Sequence, residues 1–154
     1  MTNGTKVKKR DGRIEPLDLE KMHLMVEEAT KGLAGVSASQ VEMKSGIQFY
    51  DGITTAEIQE ILIKAASDLI DLDHPNYQFV AARLLLFSLR KSLYGKMREL
   101  PNLESHIMDC CARDVYDKDI FTKYSKEEIA KANSMIDHDR DFLFISLRQV
   151  VINT

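Results

Sequence analysis

The chain holds 154 residues, 44% of them hydrophobic and 29% charged, which suits one water-soluble domain with an appended subdomain and a core that needs neither metal nor disulfide. Seven glycines and three prolines exclude a turn-dense all-β fold, and no apolar run approaches the ~20 residues that span a bilayer. The net charge of −3 is uneven: residues 1 to 13 carry Lys6, Lys8, Lys9, Arg10 and Arg13 against Asp11 alone, a local +4 that leaves −7 elsewhere and excludes a broad basic face for duplex nucleic acid.

In chain order, Thr5 to Arg10 alternates as a short strand. Asp11-Gly12 predicts a two-residue type I′ turn, in which both central residues take positive φ. Arg13 to Leu17 returns as the second strand, with Pro16 at its exit. Asp18 is an N-cap, and helix one runs from about Leu19 to Leu33 with Met22, Met25, Val26 and Ala29 on its apolar stripe. Ser37 and Gln40 form a capping box for helix two, whose inner face is either Val41, Ser45, Gln48 and Phe49 or the side carrying Ile47; Asp51-Gly52 closes it. Thr54 and Glu57 form a second box before a stripe of Ile58, Ile61, Leu62, Ala65 and Leu69. His74-Pro75 breaks the chain, and helix four runs from about Pro75 to Met97 with Tyr77, Val80, Ala81, Leu84 and Phe87 inside. Ser88 and Lys91 continue that stripe with polar groups.

Leu100-Pro101-Asn102 marks a boundary. Leu103 to Cys111 is a short helix, Asp114 to Tyr124 a connector, and Ser125 with Glu128 a third capping box for a helix to about Met135. "DHDRD" at 137–141 reads as a salt-bridged polar break, and "FLFISLRQVVINT" at 142–154 as an apolar terminus that packs on something. The N-terminus lacks the apolar core of a signal peptide. Cys110 and Cys111 point about 100° apart on a helix, so they read as buried thiols in a reducing, cytosolic compartment.

Chemistry is confined to a few places. His23, His74, His106 and His138 do not stand at metal-ligand spacing, and no Ser/His/Asp or Cys/His constellation is legible, so nothing marks the chain as catalytic alone. The basic hairpin with Lys21 in the first turn of helix one has two readings. It is a solvated face, or it is one wall of an anion pocket in which helix N–H groups and cations meet phosphate. No Walker sequence and no G-x-G-x-x-G is present. Thr54-Thr55 offers one hydroxyl for capping and a second for a ligand; the cations of "RKSLYGK" at 90–96 suit a helix C-terminus.

Four segments, "VKKRDGRIEPLDLEKM", "FYDGITTAEIQEILIKAASDLI", "PNYQFVAARLLLFSLRKSLYG" and "IDHDRDF", resemble in order and spacing the N-terminus of the large subunit of class I ribonucleotide reductase. The part to about residue 95 resembles its ATP-cone. The resemblance implies a mainly α fold: a four-helix bundle capped by a small three-stranded sheet, with a third strand near Gly52 to Thr54, followed by a helical connector over 96–154. It implies a nucleotide-binding regulatory domain over 1–95 for ATP or dATP, with magnesium on the triphosphate. By the same likeness Lys9, Lys21 and Lys91 serve the phosphates, Thr55 a phosphate or sugar, and Glu15, Pro16, Leu17, Asp18 and Lys21 wrap adenine and helix start; Val7, Arg10 and Phe87 also match. Three positions depart from the pattern: Asp18 stands for a frequent Asn, and Gln59 and Ser88 for histidines that line the pocket. An ionised Asp18 only accepts hydrogen bonds.

The radical cysteine, redox cysteine pair and substrate barrel of the reductase are not in this sequence, so the chain is expected to be a truncated or separately encoded part of a large subunit. The implied partners are the catalytic remainder, the small radical-generating subunit and adenine nucleotides, with no membrane and no direct nucleic acid. Two other readings are a structural fragment that has lost its ligand, and a nucleic-acid-binding helical module with the hairpin as its arm.

Overall fold

The computed structural model describes residues 4–145. Their contacts divide into two compact units, residues 4–89 with 141–145, and Arg90–Arg140. The division falls within a helix, ahead of the boundary expected near residue 95.

The first unit opens with strands β1 (Lys6–Lys8) and β2 (Ile14–Pro16), then helices α1 (Leu19–Thr30) and α2 (Ala38–Gly46). A short strand β3 (Ile53–Thr54) leads directly into α3 (Thr55–Ser67), and α4 (Tyr77–Tyr94) follows. The sheet order is β2-β1-β3. β1 pairs antiparallel with β2 (Val7 opposite Glu15) and parallel with β3 (Val7 opposite Ile53, Lys8 opposite Thr54). A four-helix bundle under a three-stranded lid is therefore present, including the third strand that the resemblance implied.

The hairpin turn departs from expectation. A type I′ turn needs two positive φ values, yet only Gly12 has one (φ 87°). Gly12 N–H instead donates to the Lys9 carbonyl (3.0 Å), and Lys9 N–H to the Arg13 carbonyl (2.8 Å). That is a three-residue loop closed by a left-handed glycine. Asp11 stays out of the left-handed region because its carboxylate accepts from the Arg13 backbone N–H (3.0 Å) and Nε (2.7 Å). β2 is an edge strand, so Pro16 removes no internal ladder bond.

Side-chain periodicity then places the core. Met25, Val26 and Ala29 of α1 are buried, as are Val41 and Ser45 of α2, while Ile47 is 84% exposed. Of the first face proposed for that helix, Val41 and Ser45 point inward, while Gln48, exposed, and Phe49, half-buried, lie beyond the helix end at Gly46. α2 packs against both α1 and α3, and α3 buries Ile58, Leu62, Ala65 and Ala66. In α4 Val80 to Leu84, Leu86 and Phe87 are all buried, so this helix is enclosed over more than the single stripe its spacing indicates. Each of the large aliphatic side chains contributes roughly 1.5–3 kcal/mol through removal from water.

The α2 cap is completed from outside. Ser37 Oγ accepts from Gln40 N–H (3.4 Å), but Gln40 does not reach back. The Tyr77 hydroxyl accepts from Ser37 N–H (3.0 Å) and donates to Gln40 Oε1 (2.7 Å). One buried phenol therefore does what a capping-box side chain would do, and ties α4 to the start of α2.

The second unit holds α5 (Leu103–Ala112), α6 (Ile120–Lys123) and α7 (Lys126–Ser134). Ile107, Cys111 and Ile129 form its small core, with Leu103 and Ile120 packed against it. Both cysteines are buried and free. Ser125 and Glu128 make the expected reciprocal capping box. A 3₁₀ turn, His138–Leu143, covers most of the polar break and the start of the apolar terminus. Phe142 packs edge-on against Phe87, with centroids 5.8 Å apart; the remainder of that terminus, from residue 146, lies outside the described residues. No helix among the described residues is long and apolar enough to cross a membrane.

Candidate nucleotide site

Strand alternation decides which way the basic hairpin points. Val7 is buried while Lys6 and Lys8 are exposed, so the inner face of β1 carries Val7 and, two residues on, Lys9. Lys9 is accordingly half-buried. Glu15, directly across from Val7, shares that face, and its Oε2 lies 3.3 Å from Lys9 Nζ. Its Oε1 takes Arg13 Nη1 at 3.2 Å. Arg10 and Pro16 are exposed, on the loop and the outer side of the edge strand.

The two outer strands each feed a helix N-terminus toward the bundle. β2 runs through half-buried Leu17 into α1, where Asp18 Oδ1 accepts from Lys21 N–H at 2.9 Å. Asp18 thus spends one oxygen on the cap and keeps acceptor capacity for a ligand. β3 runs into α3, where Thr54 and Glu57 make a full capping box. Glu57 also accepts from the Tyr50 hydroxyl (2.8 Å), and the Thr54 hydroxyl, with these bonds, holds its pKa below the ordinary carboxylate value. That leaves Thr55, half-buried at the first helical position, with no hydroxyl partner among the described residues. The register Lys8 opposite Thr54 brings Lys9 to the point where α3 begins.

One contact joins the two helices. Gln59 Nε2 donates to Met25 Sδ at 2.9 Å. Met25 stands four residues after Lys21, and Gln59 four after Thr55, so Lys21 and Thr55 sit one turn nearer the lid on the same helix faces. Gln59 is only 7% exposed, and its Oε1 has no hydrogen-bond partner among the described residues. A buried amide oxygen without a donor costs about 1–3 kcal/mol.

Val7, Lys9 and Glu15 therefore share the lid's inner face; Leu17, Asp18 and Lys21 stand at the start of α1, the last two exposed, and Thr55 and Gln59 in the first turns of α3. Phe87 is buried on α4, and Ser88 is half-buried beside it. Lys91 is half-buried further along α4, within the second unit. A concavity of about 670 Å³ between α1 and α2 lies elsewhere; it is lined by Leu19, Glu20, Met22, His23, Glu42 and Met43 among others. Its carboxylates and lack of Lys or Arg make it unsuited to a polyphosphate.

Sequence reasoning missed three groups that set this geometry: the Tyr77 hydroxyl, the Gln59–Met25 contact, and Arg83, whose guanidinium is buried among backbone carbonyls. Arg83 had a signal available, being the single cation inside the apolar run "VAARLLLF".

A small mixed three-stranded lid over four helices, with half-buried Lys9 on the lid's inner side and Asp18 and Thr54 capping the two helix starts it feeds, is the architecture of a cone domain. The chain matches the ATP cone domain over residues 5–92 and belongs to that family. It is 46% identical over 144 residues to ribonucleoside-diphosphate reductase 1 subunit alpha of Escherichia coli (strain K12), a match that covers 94% of this chain and 19% of that protein. Against the ribonucleoside-diphosphate reductase subunit alpha of Haemophilus influenzae the identity is 44% over the same shares, and against that of Helicobacter pylori (strain 26695) 41% over 90% of this chain and 17% of the relative. The chain thus spans about a fifth of the length of these relatives.

Proposed function

We propose that this chain is the adenine-nucleotide sensor of a class I ribonucleotide reductase large subunit, binding ATP or dATP and setting the overall rate of ribonucleoside diphosphate reduction in the cytoplasm. The catalytic barrel of the large subunit and the small radical-generating subunit are its partners. The family match and the names of the relatives support the assignment. The observation that best supports the site is the buried Gln59 oxygen without a hydrogen-bond partner among the described residues, one helical turn after Thr55 in a helix whose start the strand register sets beside Lys9.

The chemistry follows from those groups. Lys9 turns from Glu15 toward the phosphates, Lys21 and the free N–H groups of α1 add charge-assisted bonds, and Asp18 accepts from the adenine amino group. Magnesium would be carried by the triphosphate oxygens and would offset part of their charge. ATP and dATP differ by one hydroxyl, worth about 0.5–1.5 kcal/mol. A difference that small acts by biasing two lid packings of similar energy, and the hairpin around Asp11-Gly12 is the element expected to differ.

Titration calorimetry of the whole chain tests this. Both nucleotides should bind at micromolar strength, which corresponds to about 8 kcal/mol. Lys9→Ala and Lys21→Ala should each weaken binding roughly tenfold or more, as loss of a charged hydrogen bond predicts. Absence of heat with either nucleotide would sink the reading.

A further inference from the structure

The last turn of helix α1 carries no basic residue; its C-cap is Lys31, where the chain leaves helical geometry (φ −55°, ψ 128°), and Gly32 follows at positive φ. The Thr30 hydroxyl donates to the Glu27 carbonyl and Leu33 N–H to that of Thr30, and the carbonyls of Ala29 and Lys31 find their donor on α4. Arg83 is 8% exposed, and its Nη1 donates to the carbonyls of Ala29 (3.1 Å) and Lys31 (2.8 Å). Its Nε donates to the carbonyl of Phe142 at 3.2 Å. The guanidinium carbon lies 5.6 Å from the centre of the Phe142 ring, and that ring meets Phe87 edge-on. Burial lowers the Arg83 pKa, opposed by the charge of Glu28. Ending a helix requires far less than a desolvated cation; a glycine or a surface lysine suffices. What a guanidinium adds is a rigid planar fork that fixes two separate backbone segments to each other.

We propose that Arg83 is a positioning residue that transmits nucleotide occupancy from α1 to the segment at Phe142, where the chain rejoins the first unit. The proposal rests on the nucleotide reading, because Lys21 at the start of α1 is the input. A twelve-residue helix moves as a rod, so a pull on its first turn displaces the carbonyls of its last. The fork holds those carbonyls and that of Phe142 to one guanidinium, and Phe87 bears on the Phe142 ring. Displacement of α1 is therefore felt at Phe142 first, without any contact between nucleotide and that segment.

Hydrogen–deuterium exchange on the whole chain, with and without ATP, reads this out at the amides of Phe144 and Ile145, which bond to the carbonyls of Asp141 and Leu143. ATP should slow their exchange about fivefold in the unmodified chain, the lower end of typical coupling between sites. In Arg83→Met the calorimetric heat with ATP should persist while the exchange response disappears. Arg83→Lys, which keeps the charge and loses the fork, should recover part of it. ATP heat with unchanged exchange in the unmodified chain overturns this proposal alone, as does a full response in Arg83→Met. Should that variant lose its helical circular dichroism, an undiminished response in Arg83→Lys overturns it instead. No heat with ATP overturns the nucleotide reading and this one together.

Discussion

Gln59 shows how much one side chain can decide. Its amide nitrogen is spent on a methionine sulfur, and its oxygen is buried with no donor among the described residues. Burying that oxygen without a donor costs the fold free energy. Gln59→Leu removes the orphan atom at similar volume, so it should raise the stability of the nucleotide-free chain by roughly 1 kcal/mol. It should also shrink the rise in melting temperature that ATP produces. A melt with and without ATP checks both, and an unchanged ATP-induced rise would place Gln59 outside the site. His23 behaves differently. Its Nδ1 lies 2.7 Å from Glu42 and its Nε2 3.3 Å from Glu27, so only the imidazolium can donate to both. Glu42, then Glu27, raise its pKa above 6.5. A raised folded-state pKa means that the stabilisation is complete below the unfolded value and fades as pH climbs through the folded one. The melting temperature should therefore fall as pH rises through and beyond 6.5, and His23→Gln should flatten that slope, as melts across a pH series would show.

At the scale of elements, the caps carry the argument. Asp18, Thr54 and Ser125 do what their spacing indicates, because a cap is a local bond between near neighbours. Ser37 is the exception that reveals a tertiary contact. Half its capping box is replaced by a hydroxyl forty residues away in sequence. Tyr77→Phe leaves the ring in place but strands the Ser37 N–H and the Gln40 oxygen, so it should cost about 1–3 kcal/mol. Chemical denaturation should show a lowered midpoint with an unchanged slope, since the exposed surface on unfolding barely changes. The hairpin turn was misjudged for a related reason. Asp-Gly permits several turns, and the Arg13 side chain selected the wider loop by binding Asp11.

For the whole molecule, the helices and their inner faces were legible because hydrophobic period and capping are properties of short segments. α1 and α3 start where their caps lie, and most of the predicted stripes of α1, α3 and α4 are buried, with Met22, Ile61 and Leu69 half-buried at their edges. The same resemblance that named a cone also named its pocket residues, and alternation along β1 explains why Val7, Lys9 and Glu15 share one face. What remained illegible needed two distant segments at once. No local rule says that Met25 meets Gln59, that Arg83 reaches the last carbonyls of α1, or that the concavity between α1 and α2 is lined by carboxylates. By itself, then, the amino-acid order determined four helices behind a basic hairpin, since periodicity, caps and charge are written along the chain, and the cone entered through the resemblance of whole segments. Tertiary structure alone decided which polar groups are satisfied and which is left waiting, because hydrogen bonding inside a core depends on partners that only folding brings within 3 Å or so.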